Sequence, residues 1–296
     1  MIDANKAKLQ SFYQGNLQYE IPFFQRAYVW SEENWTIFWE HLTSELEAYE
    51  RGENSEHFIG TIITKQKESR NLSENVVELI DGQQRLTTIS IFLKALSDTV
   101  TGELTNLKKS LEGLLWFEDS YGKRHYRMRH SRIDAPNFIR VMESPETASE
   151  DETSSIIQAY LYFQEKLRDH TDQSRDMLKQ VLLHKIPVIS MLLDKDDDEQ
   201  EIFDTINSLG VRLTIGELLK NYLFKEDSLV ALYESKWLAV FENDEEQVEY
   251  WGTERSSGRV KRDNMELLLY CFLIIETKKE IRLERLFKEY KAYLKD

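Results

Sequence analysis

The first hundred residues change period repeatedly, and each change marks an element. Leu17, Tyr19 and Ile21 alternate with Gln18 and Glu20, the two-residue period of a half-buried strand, and the pattern stops at Pro22. Beyond residues 23–30, Ser31 suits a helix N-cap, and Glu32 and Glu33 suit the positive end of the helix dipole. Trp35, Phe38, Trp39, Leu42, Leu46 and Tyr49 then recur at spacings of three and four, which predicts a long helix with its aromatic residues turned into a core. Residues 58–63 and 76–80 are β-rich and separated by a polar loop, so they predict neighbouring strands. A helix from Arg85 to about Ser97 follows directly.

Farther along, the spacing becomes mainly helical. It predicts helices over residues 104–115, 134–141, 156–167 and 177–183, with a basic strand at 123–132. The acidic segment 144–153 reads as a mobile connection. The apolar run 186–193, with Pro187 near its start, predicts a buried strand that returns the chain to the N-terminal sheet. From Glu199 onward the pattern reads as helix throughout. The expected fold class is therefore α+β. An α/β lobe with a small mixed sheet occupies residues 1–196, and a predominantly helical lobe occupies 197–296.

A chain of 296 residues with 41% hydrophobic residues can fill two such cores. No stretch approaches the roughly 20 apolar residues of a membrane helix. The start, residues 1–6, lacks a signal peptide's apolar segment, so a cytoplasmic protein with no membrane contact is expected. The single cysteine, Cys271, excludes an intramolecular disulfide and a multi-cysteine metal site; its apolar run, 267–273, predicts a buried, inert thiol. The acidic cluster 194–199 lacks the glycine of a calcium loop and reads as a helix start. A net charge of −15 argues against attraction of DNA by the whole surface, though not by a local groove. Lys123, Arg124, Arg127 and Arg129 are the candidates for such a contact; a solvated strand paired with acidic helices explains them equally well.

The chemistry concentrates at residues 79–89, where an apolar strand end breaks at Asp81-Gly82 and restarts as a helix carrying Gln83, Gln84, Arg85, Thr87 and Thr88. Gly82 turns without a Cβ penalty, the first helical amides supply donors at the positive end of a dipole, and Arg85 adds a fork that matches a phosphate. This is a phosphate site in outline.

Three blocks, in order and spacing, resemble the N-terminal domain of GmrSD-type, modification-dependent (type IV) restriction enzymes. They are Ile21-Pro22-Phe23-Phe24-Gln25-Arg26-Ala27-Tyr28-Val29-Trp30 with Phe58-Ile59-Gly60-Thr61-Ile62, then Asp81-Gly82-Gln83-Gln84-Arg85-Leu86-Thr87-Thr88, then residues 202–221. The resemblance covers at least residues 17–224. It implies a ParB/sulfiredoxin-like core that binds and hydrolyses a nucleoside triphosphate (GTP, ATP, CTP or UTP) with Mg²⁺, in defence against phage DNA that carries modifications. It further implies a nuclease in a separate C-terminal domain or a partner subunit. The histidines at 41, 57, 125, 130, 170 and 184 form no His-Glu-x-x-His pair, so DNA cleavage is not expected from this chain alone.

On that resemblance Gln25, Arg26, Gly82, Gln83, Gln84, Arg85, Thr87 and Thr88 are candidate nucleotide-binding residues, and Asp81, Gln84 and Arg85 are candidate catalytic ones. Asp81 is open between a magnesium ligand and a helix cap. Gln25 and Arg26 join the site only if the two strand ends are adjacent; a surface ion pair is the alternative for Arg26. Asn207, Lys220 and Asn221 are open between closing over the nucleotide and hydrogen bonding between lobes, while Gly210 and Thr214 read as a helix end and a helix cap. Competing readings are a ParB-like DNA nuclease and a non-enzymatic DNA-sensing or docking module; assembly into a homo-oligomer fits any of them.

Overall fold

In the computed structural model the chain divides into two units, Met1–Lys195 and Asp196–Asp296. The structure describes residues 4–25, 27–53, 58–67, 75–100, 105–131, 133–149, 153–193, 214–224, 227–257 and 260–295. The fold class is α+β: a mixed six-stranded sheet with surrounding helices.

The first unit is built on that sheet. Its strands are β1 (Ala4–Lys8), β2 (Leu17–Glu20), β3 (Thr61–Gln66), β4 (Asn75–Asp81), β7 (Met128–Arg129) and β8 (Pro187–Leu193), in the order β1-β8-β3-β4-β2-β7. As the apolar run 186–193 predicted, β8 returns to the sheet, pairing antiparallel with β1 and parallel with β3. β2 runs parallel to β4, Glu20 lying beside Glu78, so both strands release the chain at the same sheet edge. β3 runs antiparallel to β4 with Ile63 opposite Asp81, which brings the start of β3 to that edge as well. Three chain segments therefore converge where β4 ends.

The helices of this unit are α1 (Glu32–Glu50), α2 (Gln83–Thr99), α3 (Thr105–Leu115), α4 (Ala135–Glu143), α5 (Ser155–Leu167) and α6 (Asp172–His184). α1 starts as Ser31 suggested, and the Asn34 carboxamide oxygen accepts the Ser31 amide at 3.1 Å. α2 is buried along most of its length, with Ile89, Phe92, Leu93 and Leu96 fully enclosed. Phe38 of α1, Phe92 of α2 and Phe163 of α5 meet edge to face with centroids 5.4–5.7 Å apart. Each such pair adds about 0.5–1.5 kcal/mol beyond the area it buries. The aromatic residues of α1 thus anchor the start of α2, and with it the turn that precedes it.

The second unit contains α7 (Ile215–Leu223), a π-helical stretch Tyr233–Glu242, α8 (Glu245–Gly252), α9 (Asn264–Thr277) and α10 (Leu286–Tyr293). Thr214 caps α7 as its position suggested, accepting from the Glu217 amide at 3.1 Å. The acidic cluster, the helix expected from Glu199 and Gly210 lie outside the described residues.

Several expectations are corrected. The second unit is not all helix: β9 (Glu254–Ser257) and β10 (Val260–Asp263) pair antiparallel. Their charged residues carry no apolar alternation, and β1, a lysine-bearing edge strand, is silent for the same reason. The basic segment is not one strand. Arg124–Tyr126 forms β6, paired in a separate hairpin with β5 (Trp116–Glu118), whereas β7 joins the main sheet. Part of the acidic connection is ordered as a 3₁₀ turn, Pro145–Thr147, with Arg140 bonded to Thr147. Cys271 is exposed, not buried: α9 turns Leu269 and Leu273 inward, and its apolar run is wider than the face it buries.

Candidate functional site

The β4–α2 turn forms as the sequence suggested. Gly82 adopts φ +95°, and a Cβ there would lie 3.1 Å from the Thr61 carbonyl oxygen and from Ile62 Cγ1, so both conformation and space require glycine. The Leu86 amide donates to the Gly82 carbonyl at 2.9 Å, the first α2 bond. The amides ahead of it have no partner within the helix and sit at its positive end.

Arg85 leaves this turn and folds back over the start of β3. Its Nη1 donates to the Thr61 carbonyl oxygen at 3.1 Å and lies 3.7 Å from Asp81 Oδ2, both side chains being close to 30% exposed. Beneath the guanidinium is Gly60, at φ +114°, where a Cβ would stand 2.6 Å from Nε, 2.7 Å from Cζ and 2.9 Å from Nη2. The absent side chain of Gly60 is the bed on which Arg85 lies. Nε and Nη2, the edge that pairs with two phosphate oxygens, have no protein acceptor among the described residues.

The 21–30 loop is laced to the same turn. Gln84 is buried and both ends of its carboxamide are used: Oε1 accepts the Val29 amide at 2.9 Å, and Nε2 donates to the Ala27 carbonyl at 3.1 Å. Gln25 Nε2 donates to the Ile80 carbonyl at 3.4 Å, so the adjacency its assignment needed is present. Arg26 lies outside the described residues.

Thr87 and Thr88 point the other way. Both are fully buried. A directed chain runs from Trp35 Nε1 to the Tyr28 hydroxyl (2.8 Å), from there to Thr88 Oγ1 (2.7 Å), and from Thr88 to the Gln84 carbonyl (2.8 Å). Thr87 Oγ1 lies 3.4 Å from His130 Nε2. These hydroxyls are bonded within the protein and brace the turn from behind, a role that accounts for them without a phosphate.

His130 closes this network. Its side chain is wholly buried, its ring centroid is 4.1 Å from that of Phe138, and Nδ1 is 3.9 Å from Asp134 Oδ2, which also accepts the Tyr28 amide at 2.8 Å. Burial holds its pKa below the ordinary 6.5, with Asp134 only partly offsetting this. The folded state keeps His130 neutral while the unfolded chain takes up a proton near 6.5. Its contribution is therefore complete above that value and is lost as pH falls through it towards the lower folded pKa. Thermal unfolding is expected to show a drop in Tm between pH 7.5 and 5.5 that is smaller in His130→Gln; an equal drop in both proteins would remove His130 from the account.

The basic residues do not form one stripe. Arg127 is buried, with Nη1 donating to the Gly15 carbonyl at 2.7 Å and Nε and Nη2 to the Gly113 carbonyl at 3.2 and 3.1 Å. It stitches the turn before β2 to α3, a structural role that accounts for it without a DNA contact. Arg127→Ala is expected to cost about 2–4 kcal/mol in denaturant unfolding, because the Gly15 and Gly113 carbonyls lose a charged donor and the packed stem of a buried arginine is removed; a change under about 0.5 kcal/mol would contradict the structural role. Lys123 and Arg124 are exposed on the β5–β6 hairpin, with the Arg124 guanidinium 4.7 Å from the Trp116 ring centre. Arg129 is 64% exposed and 3.8 Å from Glu20.

In the second unit Lys220 is buried and paired with Glu242 Oε1 at 2.6 Å, and that carboxylate also accepts from the Tyr233 hydroxyl and Trp237 Nε1. An ion pair inside this unit accounts for Lys220. Asn221 is half-buried, its Oδ1 without a hydrogen bond among the described residues, and Asn207 lies outside them.

Sequence reasoning passed over Gly60, although it stood in the quoted 58–62 block; a glycine just before a strand signals a close approach, but not by what. It also passed over a pocket of about 250 Å³ lined by Arg85 together with Trp30, Asn34, Phe38, His41 and Phe58. Asn34, Phe38 and His41 share the four- and three-residue spacing of one α1 face, so polar residues within an aromatic stripe were the available signal.

Residues 9–224 match the family described as GmrSD restriction endonuclease, N-terminal domain. No curated protein matches the chain. The matched span holds the turn, the bed of Arg85 and the loop laced to them, and it extends over well more than half of the sequence: the chain belongs to the family of GmrSD restriction endonuclease N-terminal domains.

Proposed function

We propose that this chain, a component of a restriction system, binds a nucleoside triphosphate at the Asp81–Arg85 turn and hydrolyses it. The observation that carries this reading is Arg85 lying on Gly60 with its Nε and Nη2 edge without a protein acceptor among the described residues, beside the N-terminus of a buried helix. That arrangement pairs two fixed donors with an electropositive helix end, which suits a phosphate. Water is the nucleophile in this scheme, and the protein contributes by holding the phosphates and stabilising charge as it moves between their oxygens. Gln84 acts through the loop it holds, each end of its carboxamide making one bond to that loop. Asp81, its side chain 28% exposed at the turn, is the one carboxylate of the motif. A single carboxylate beside bound phosphates fits magnesium, which keeps most of its waters and would supply charge neutralisation there. In the restriction system the nucleotide state would then be read by a DNA-cutting domain or subunit.

The test is a thermal-unfolding panel with GTP, ATP, CTP and UTP, each with and without Mg²⁺, alongside a phosphate-release assay. At a hundredfold excess over Kd, at least one triphosphate should stabilise the fold by about 2.7 kcal/mol and release phosphate. No shift with any of them at millimolar concentration would overturn the reading.

A further inference from the structure

We infer that the pocket beside Arg85 seats the base of the nucleotide, so that binding depends on an aromatic ring as well as on phosphates. This rests on the phosphate reading above and extends it from the charged end of the ligand to the uncharged one. Phe38 and Ile89 form an apolar floor, being 6% and 0% exposed, while Trp30 is half-buried and Phe58, at 49% exposure, stands at the rim. Arg85 lines the same pocket, so a ligand anchored there by its phosphates meets aromatic side chains next. One hydrogen-bonding group on the wall has a fixed orientation. Asn34 Oδ1 is held by the Ser31 amide at 3.1 Å, which leaves the amide nitrogen as the donor on the other side. An anion clamp, an apolar floor, aromatic walls and one oriented donor together describe a flat heteroaromatic ring, with acceptors on its edge, joined to a polyphosphate. A bare polyphosphate would use only the first of these.

The walls also explain why the 21–30 loop is held so firmly. Trp30 reaches the pocket from a loop whose residues 27–29 are fixed by Gln84, Thr88 and Asp134. The turn that holds the phosphate thereby also sets where Trp30 stands.

The experiment compares binding of UTP, CTP, ATP and GTP with binding of inorganic tripolyphosphate, all with Mg²⁺, to the unaltered chain and to Phe58→Ala, Trp30→Ala and Arg85→Ala. At least one nucleoside triphosphate should bind about tenfold or more tightly than tripolyphosphate, the scale of one base–aromatic stack. Phe58→Ala, at an exposed rim position that folding does not need, should remove most of that advantage and leave tripolyphosphate affinity unchanged. Trp30→Ala should do the same, with retained tripolyphosphate binding as evidence that the turn is intact. Arg85→Ala should weaken both ligands. Equal affinity for tripolyphosphate and every nucleotide, or nucleotide affinity unchanged in Phe58→Ala, would overturn the base pocket while leaving the phosphate site standing. Failure of the unaltered chain to bind either ligand would overturn both.

Discussion

Arg85→Ala is expected to weaken triphosphate binding by about a hundredfold while the fold survives. A bidentate, charge-assisted contact is among the strongest single polar interactions a site can offer, and a hundredfold corresponds to about 2.7 kcal/mol. The cost to folding should be small. Among the described residues Arg85 makes one hydrogen bond, to the carbonyl of buried Thr61, and one long ion pair, to Asp81, and the two paired side chains are each close to 30% exposed. Unfolding free energy should therefore fall by about 1–2 kcal/mol, chiefly because the Thr61 carbonyl loses a donor. Arg85→Lys should lie between the two, since it keeps the charge and loses the fork. Titration calorimetry gives the affinities and denaturant unfolding the stabilities. Unaltered affinity in a folded Arg85→Ala protein would remove Arg85 from the site.

Gly60→Ala should match that loss by a different route. At φ +114° an alanine is strained, at a cost of about 1–3 kcal/mol. Its Cβ would also stand 2.6 Å from Arg85 Nε, closer than atoms can approach, so the guanidinium must leave its bed. Stability and ligand affinity should fall together, and the double variant Gly60→Ala, Arg85→Ala should bind no worse than Arg85→Ala alone, because both changes remove the same contact. Additive losses in the double variant would show that Gly60 does not act through Arg85.

How much of this was legible in the sequence depends on how local each feature is. The strands at β2, β3, β4 and β8 and helices α1 to α6 carry their own periodicity, and the phosphate turn is written in consecutive residues from Asp81 to Arg85. β1, β9 and β10 were silent because polar strands at a sheet edge or in an isolated hairpin have no apolar alternation to read. The direction in which a polar side chain points was equally hidden. Thr87, Thr88 and Arg127 have the right chemistry for phosphate, but each is itself buried and bonded to a group distant in sequence: His130, the Tyr28 hydroxyl and the Gly15 carbonyl. The bed under Arg85 joins positions 60 and 85, and no spacing rule within one element links them.

The most direct test is a crystal structure of the chain with a non-hydrolysable nucleoside triphosphate and Mg²⁺. The account predicts phosphate oxygens about 2.7–2.9 Å from Nε and Nη2 of Arg85, with the guanidinium still lying on Gly60. A nucleotide bound with its phosphates elsewhere, and Arg85 left on the Thr61 carbonyl without a phosphate partner, would contradict it.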